Sequence, residues 1–393
     1  MDALQRQDGA NSVQTAAEEQ AKKMILDGIL QYAIELEVAG CLRKPRISLG
    51  NHPVTCRTLM EDVLDGPDTV FLDLFKLDRT QFGALSKWAE DTGTIQDGKN
   101  YTVWQKLMIF LHVVGNHVSY RNVSNRFKIS IGSIHQIFNQ VLVALAHHLY
   151  DEFVTQPGPE YVSEYVELNP RYSQFNGCIG AVDGAHIPAF VPPERQHVCR
   201  NRKGELTQNV FAAVKFDLTF TYVLAGAAGS MKDAQLFKEA LCDEFEIPTG
   251  RFYLGDGGFE QNARGLVVPY EGERYHLRDF EGVDIESLSM KDRFNRHHAE
   301  MRCIVERVFG ILKEVFPVLK GPAMELNWDQ QRCIVYALVG IWNFVRKQRM
   351  AEGQGGHISD ADELRLVLAA QKADSRIGDK KGREIRDLVA LAM

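Results

Sequence analysis

Two aspartates in this chain each stand just after a short apolar run and just before glycine: Asp183 in GAVDGAH and Asp256 in YLGDGGF. An ionised carboxylate at the end of a buried strand is costly unless it is paired or binds a cation. Two such ends suggest neighbours in one sheet, where like charges repel and a divalent cation removes the conflict. Glycine after each aspartate lets the backbone turn sharply and leaves room for a substrate. A third acid, Glu306, follows on a helical segment whose apolar face is Ile304, Val308, Ile311 and Val315. His298, Arg302, Glu306 and Lys313 lie along another face, so a carboxylate among basic groups could complete a metal site and touch phosphate beside it. The spacings, 73 residues between the aspartates and 50 from Asp256 to Glu306, suit a sheet closed by a helix. Each acid also has a plain structural reading: Asp183 as a strand-to-turn residue, Asp256 as part of a glycine turn, Glu306 as the surface partner of Arg302. Asp217 in a hairpin turn and Asp233 at a helix start read as structural acids.

The elements that must position these groups follow from hydrophobic periodicity. Strands are expected over 177–182, 209–216, 219–225 and 252–254, with one more over 265–268. Helices are expected over 233–241, capped by Ser230 or its neighbours, over 295–316 before Pro317, and over 329–350. The apolar run 334–345 is too short to span a membrane and reads as buried helix. Ahead of this α/β region the chain reads as helical: 14–39, a pair within 68–88, and 103–114. A short helix over 120–127, a turn at 128–130 and a longer helix from 131 to 145 follow. Segment 41–56 reads as loop. The short helix, tight turn and longer helix have the layout of a helix-turn-helix, with Ser133, His135, Gln136, Asn139 and Gln140 facing outward. In that reading Arg121, Arg126 and Lys128 lie near phosphates, and Ser133, His135 and Gln136 near base edges. The plain alternative is a three-helix subdomain.

Net charge is −7 over 393 residues, which by itself does not suggest a polyanion partner. Its distribution says more. Residues 101–150 hold four basic side chains and no acidic one, in an otherwise acidic chain. A polyanion would tolerate that surface and be repelled by its neighbours. A second basic group, Arg195, Arg200, Arg202 and Lys203, falls in the loop between the first two strands and is expected near DNA phosphates, or is simply a solvated loop. His186 beside Asp183 reads as a group supporting the site or as a buried structural histidine. His297, His298 and Cys303 show no ligand spacing. Seven cysteines are scattered and never at CxxC spacing, which argues for a reducing compartment and against a zinc cluster. The N-terminus lacks the layout of a signal peptide, and no membrane association is expected.

Several segments, in this order, resemble the blocks of the PIF/Harbinger transposases and the nucleases derived from them. They are GAVDGAHIPAF, RKGELTQNVFAAVKFDLTFTYVLAGAAGSMKDAQLF, FYLGDGGF, VVPYEGERYHL and RHHAEMRCIVERVFGILKEVFPVL. The resemblance covers about residues 100–350. It implies an RNase H-like fold, a mixed sheet flanked by helices, and a DDE triad carried over as Asp183, Asp256 and Glu306. It also implies two Mg²⁺ or Mn²⁺ ions roughly 3.5–4 Å apart for phosphoryl transfer on double-stranded DNA. Family members often have Thr or Cys at the position of Ala185, Ala or Ser at Gly257, and His at Lys232; none of these departures removes a carboxylate. Arg302 and Lys313 are expected to contact DNA beside the triad.

The organisation expected is a helical N-terminal region over 1–95, a helix-turn-helix-like region over 96–155, an RNase H-like nuclease domain over 156–350 and a tail over 351–393 without an assigned role. The function expected is a metal-dependent DNA endonuclease or transposase. A domesticated DNA-binding protein of the same fold without cleavage is the alternative, and a small-substrate phosphatase a more distant one. Relatives commonly work with a separate Myb-like DNA-binding protein, and a homo-oligomer is compatible with the chemistry. A nuclear location follows from the DNA substrate, with RKPR at 43–46 and DKKGR at 379–383 as the only short basic import candidates.

Overall fold

The computed structural model describes residues 55–260, 263, 265–280, 282–284, 287–322 and 326–352. The helix expected over 14–39, nearly all of the 41–56 loop, the tail beyond 352 and both import candidates lie outside these residues. Among the described residues, six helices come first. α1 (Cys56–Asp65) has no counterpart among the expected elements, although Cys56, Leu59, Met60, Val63 and Leu64 recur at helical spacing and pack on the core. α2 (Asp68–Phe75) and α3 (Arg79–Asp91) are the expected pair, and Asp78 caps α3 in a reciprocal box with Gln81. α4 (Val103–Asn116) is buried along nearly its whole length. α5 (Tyr120–Phe127) and α6 (Ile131–Ala144) start at the N-caps Ser119 and Ser130. Lys128 ends α5 in the left-handed conformation, its charge at the negative end of the helix dipole. The direction turns by 111° between α5 and the rod that begins with α6. That rod continues through a π segment, Leu145–Leu149, to Tyr150–Phe153.

Five strands form one mixed sheet in the order β3-β2-β1-β4-β5. β1 (Cys178–Pro188), β2 (Thr207–Val214) and β3 (Phe220–Ala228) pair antiparallel in sequence. β4 (Phe252–Leu254) lies parallel to β1, and β5 (Leu266–Val267) parallel to β4. The sheet is flanked by helices, as expected for an RNase H-like domain. One expectation needs correcting. β1 does not end at Val182 but runs six residues further, because the segment from Asp183 to Pro188 keeps its ladder with Ala212 to Thr207 of β2. Asp183 therefore sits inside a strand, not at its tip. Asp217 has the turn role read from the sequence: Leu218 takes a positive φ of 65°, and Asp217 accepts from the Thr219 amide at 2.9 Å.

Alternation along β2 divides the core. Val210, Ala212 and Val214 face one layer, Phe211 and Ala213 the other, so every residue of the strand is buried. On the second face lies α7 (Asp233–Cys242), with Leu236, Phe237 and Ala240 against Phe211 and Tyr253. Its N-cap position is Lys232, with no side-chain cap, so Ser230 does not cap it. On the first face lie α8 (Met290–Val315) and α9 (Trp328–Ala351). α8 begins five residues before the expected Asn295, where Ser289 caps it, and stops ahead of Pro317. The same hydrophobic cluster runs from Met60 in α1 to Phe344 in α9, joining the first six helices to the sheet.

The outer edge of β3 is closed by side chains. Asn343 of α9 accepts from the Phe220 amide at 3.0 Å and donates to its carbonyl at 2.7 Å. The hydroxyls of Tyr150 and Tyr336 accept from the amides of Val223 and Ala225. Each otherwise orphaned backbone group thus finds a partner. Among the described residues no single helix is long and apolar enough to cross a membrane.

Candidate active site

The parallel pairing of β1 and β4 sets the first two acids level. Ala181 is the partner of Leu254, and each is followed two residues later by an aspartate, Asp183 and Asp256. One oxygen of each is held by the chain just ahead of it. The Gly184 amide donates to Asp183 Oδ1, and the Gly258 amide to Asp256 Oδ1, both at 2.8 Å. A third acid joins them that sequence reading set aside. Asp233, at the start of α7, places a carboxylate oxygen within 4.8 Å of oxygens from both Asp183 and Asp256. It can approach only because residue 184 is glycine; a Cβ there would collide with Asp233 Oδ1. Asn209 of β2 hydrogen-bonds Asp233 and donates to the Met231 carbonyl at 3.0 Å, fixing the turn into α7.

Glu306 is arranged differently. Arg302, one helical turn before it on α8, donates to Glu306 Oε1 at 2.7 Å and to Asp183 Oδ2 at 2.9 Å. Its side chain is 12% exposed and that of Glu306 57%, so Glu306 lies on the open side of the guanidinium while the three aspartates lie together. The Arg302 guanidinium also stands 5.9 Å from the centre of the Tyr275 ring. The Tyr275 hydroxyl is buried with no hydrogen-bond partner in this structure, and it feels the charges of Arg302, Asp256, Asp183 and Glu306.

Burial raises the Asp183 carboxyl to about 7; Arg302 opposes the rise, and Asp256 and Glu306 add to it. Burial and Asp256 also raise Asp233, against the pull of Asn209 and His186. The ion pair with Arg302 therefore does not restore an ordinary carboxylate: burial outweighs the guanidinium, and Asp256 and Glu306 add to the rise. Oxygen-only donors, crowded negative charge and an orphaned hydroxyl fit a hard divalent cation. Asp183, Asp233 and Asp256 are placed to hold one.

The remaining expected residues fall in three groups. Lys313 reaches back to β1 and donates to the His186 carbonyl at 2.9 Å, its ammonium pKa lowered by burial. His186 in turn meets Thr207 Oγ1 at 3.0 Å. His298 is buried against the Val267 carbonyl, a structural contact. In the β1–β2 loop, Arg195 stacks over Trp328 at 4.7 Å and Arg200 donates to the Gly204 carbonyl at 2.8 Å. Arg202 and Lys203 are exposed near the tip, and the charge of Arg202 is felt at Asp233 and His186. On α5 and α6, Arg121, Arg126, Lys128 and Gln136 are exposed. His135 is half-buried against Asn139, and Ser133 bonds the Ser130 cap at 2.8 Å. Asn139 and Gln140 do not both face open solvent as expected: Gln330 of α9 donates to Asn139 at 2.6 Å, and Lys106 to Gln140 at 3.0 Å.

Residues 182–343 match the family model described as DDE superfamily endonuclease, and all four acids fall inside that span. This stretch of the chain is similar to a DDE superfamily endonuclease domain, and a weaker similarity reaches a Harbinger transposase-derived nuclease. A curated relative, "Putative nuclease HARBI1" of Mus musculus, is 25% identical over 160 residues, 40% of this chain. The chain covers 42% of that relative's length. Residues 51–147 match a domain of unknown function (DUF8040). No solved structure matches.

Proposed function

We propose that this protein is a divalent-metal-dependent nuclease of the transposase kind, cutting phosphodiester bonds of double-stranded DNA and working in the nucleus. The observation that carries the reading is the meeting of Asp183 and Asp256 on adjacent parallel strands inside a DDE endonuclease domain. Mg²⁺ or Mn²⁺, in one or two ions, would be held by these two carboxylates, with Glu306 completing the set once it leaves Arg302. When bound, such ions supply Lewis-acid stabilisation of the phosphoryl oxygens and a good nucleophile at neutral pH.

The residues of the chain supply the rest. Arg302 pairs with Asp183 and Glu306 before DNA arrives and can turn to a phosphate afterwards, since its guanidinium suits either anion. Lys313 adds positive charge at the level of His186. The exposed Arg200, Arg202 and Lys203 and the Arg195–Trp328 stack would track the DNA backbone near the cut. α5 and α6, turning through 111°, serve as a helix-turn-helix, with Arg121, Arg126 and Lys128 on phosphates and Gln136 and His135 at base edges. Ser133 is better explained as part of the α6 cap. A Myb-like partner and self-association belong to this reading as well.

A second reading, DNA binding without cleavage, is favoured by the double grip of Arg302 on Asp183 and Glu306. Incubation of the full chain with supercoiled plasmid and Mn²⁺ separates the two. Nicking by the parent that disappears in Asp183→Asn supports the nuclease. Retarded migration of DNA with no nicking in either protein supports the binding protein.

A further inference from the structure

We propose that Tyr275 is a positioning residue for DNA: its hydroxyl and the Nε edge of Arg302 together form a subsite for one phosphate of the duplex. The inference rests on the DNA reading above and adds a residue that it does not use.

The loop that carries Tyr275 is fixed by the fold itself. Asn295 of α8, fully buried, accepts from the Tyr270 amide at 2.8 Å and donates to the carbonyls of Tyr270 at 3.1 Å and Arg274 at 2.9 Å. Tyr275 follows directly, its ring centre 5.9 Å from the Arg302 guanidinium. Among the described residues, two donors of this pair are buried without a hydrogen-bond partner: the Tyr275 hydroxyl and Arg302 Nε. His298, whose ring lies 6.2 Å from that of Tyr275, turns Nε2 to the Val267 carbonyl and leaves Nδ1 unbonded, so the fold does not bring the hydroxyl to it. Burial pushes the hydroxyl up to about 12, which keeps it a donor.

A buried donor without an acceptor is costly, and phenylalanine would carry the guanidinium on its ring equally well. The hydroxyl therefore fits an acceptor that comes from outside the fold. Arg302 points to the same one. It uses Nη1 for Asp183 and Nη2 for Glu306, and leaves Nε idle. Glu306 is the more exposed of the two acids, so its departure frees Nη2 while Asp183 keeps Nη1. Nε and Nη2 then form the parallel pair of donors that suits a phosphate, with Tyr275 against the same guanidinium.

Fluorescence anisotropy of the full chain with a labelled DNA duplex, in Ca²⁺ buffer across a salt series, tests this. The proteins are the parent, Tyr275→Phe, Arg302→Lys and the double variant, each also melted without DNA. Tyr275→Phe removes only the hydroxyl; Arg302→Lys keeps the charge and loses the fork. Tyr275→Phe is expected to melt at or above the parent, because the group it loses is unbonded in the free protein. It should nevertheless bind duplex about tenfold more weakly, as the loss of a hydrogen bond to a charged acceptor implies. Its salt slope should match the parent's, since a neutral donor releases no counterion. In the Arg302→Lys background the same change should cost far less, because the two donors share one phosphate. Parent-like affinity in Tyr275→Phe overturns the role of Tyr275 and leaves the nuclease reading standing. A clearly lowered melting midpoint overturns it whatever the affinity, because the hydroxyl then belongs to the free fold. Equal losses in the two backgrounds overturn the shared phosphate. A parent that binds duplex and never nicks plasmid ends the nuclease reading alone, and a parent that binds no duplex overturns both.

Discussion

The guanidinium of Arg302, on α8, donates to the carboxylate of Asp183, on β1, at 2.9 Å. The bond crosses from the helical layer to the sheet and binds a partly buried negative charge. Removing one partner of such a pair leaves the other uncompensated, at a cost of about 3 kcal/mol. Arg302→Ala is expected to lower the stability of the chelator-treated protein at pH 8 by roughly that amount in urea unfolding. In an Asp183→Asn background the same change should cost far less, because the charge to be compensated is gone. Equal losses in the two backgrounds would show that Arg302 stabilises the fold through packing alone.

Asp183 also gives the fold a pH dependence opposite to that of an ordinary salt-bridged acid. Its carboxyl stands at about 7 in the folded chain, raised by burial and neighbouring acids, and near its ordinary value, about 3.9, in the unfolded chain. Between those values the folded state keeps a proton that the unfolded state has lost. Stability from this group is therefore present below about pH 4 and declines as pH rises to about 7. In chelator, the urea midpoint of the parent should fall across that range more steeply than that of Asp183→Asn. Matching profiles for the two proteins would remove the effect.

Alanine at Asp183, Asp256 or Glu306 is expected to abolish DNA cutting while leaving a cooperative thermal transition, lowered most in Asp183→Ala, which leaves Arg302 without its partner. Undiminished cutting by all three variants would falsify the triad.

The loop between β1 and β2 should set salt dependence more than chemistry. Replacing Arg200, Arg202 and Lys203 together with alanine is expected to weaken duplex binding and to flatten the plot of log affinity against log salt by about 2–3, roughly 0.9 per lost phosphate contact. An unchanged slope across the salt series would mean that the loop is merely solvated.

Much of this arrangement was legible in the sequence. Asp183 and Asp256 stand out because each follows apolar residues that have to be strand, and glycine follows each. The i, i+4 spacing of Arg302 and Glu306 likewise announces their contact on α8. Other features were hidden for physical reasons. The second half of β1 is half-buried and polar, so its pattern breaks off at Asp183 although its ladder with β2 does not. Asp233 was masked by its own position, since an aspartate at a helix start needs no other explanation. Its approach to β1 depends on the missing Cβ of Gly184, and such a distance is invisible without the sheet. The reach of Arg302 to Asp183 spans 119 residues of chain and has no local signature. α1 was legible as well, since Cys56, Leu59, Met60, Val63 and Leu64 recur at helical spacing, but it was not among the expected elements.

The closed outer edge of β3 limits how copies of this chain can join. An uncovered edge strand is a template on which another chain can lay its own backbone. Here Asn343, Tyr150 and Tyr336 occupy the bonding groups that such a template needs, so recruitment of a second copy by strand addition is blocked on that side. Asn343→Ala should reopen part of it. Time-dependent growth in light scattering by that variant, against a steady signal from the parent, is the expected mark of a guard against fibril-like stacking.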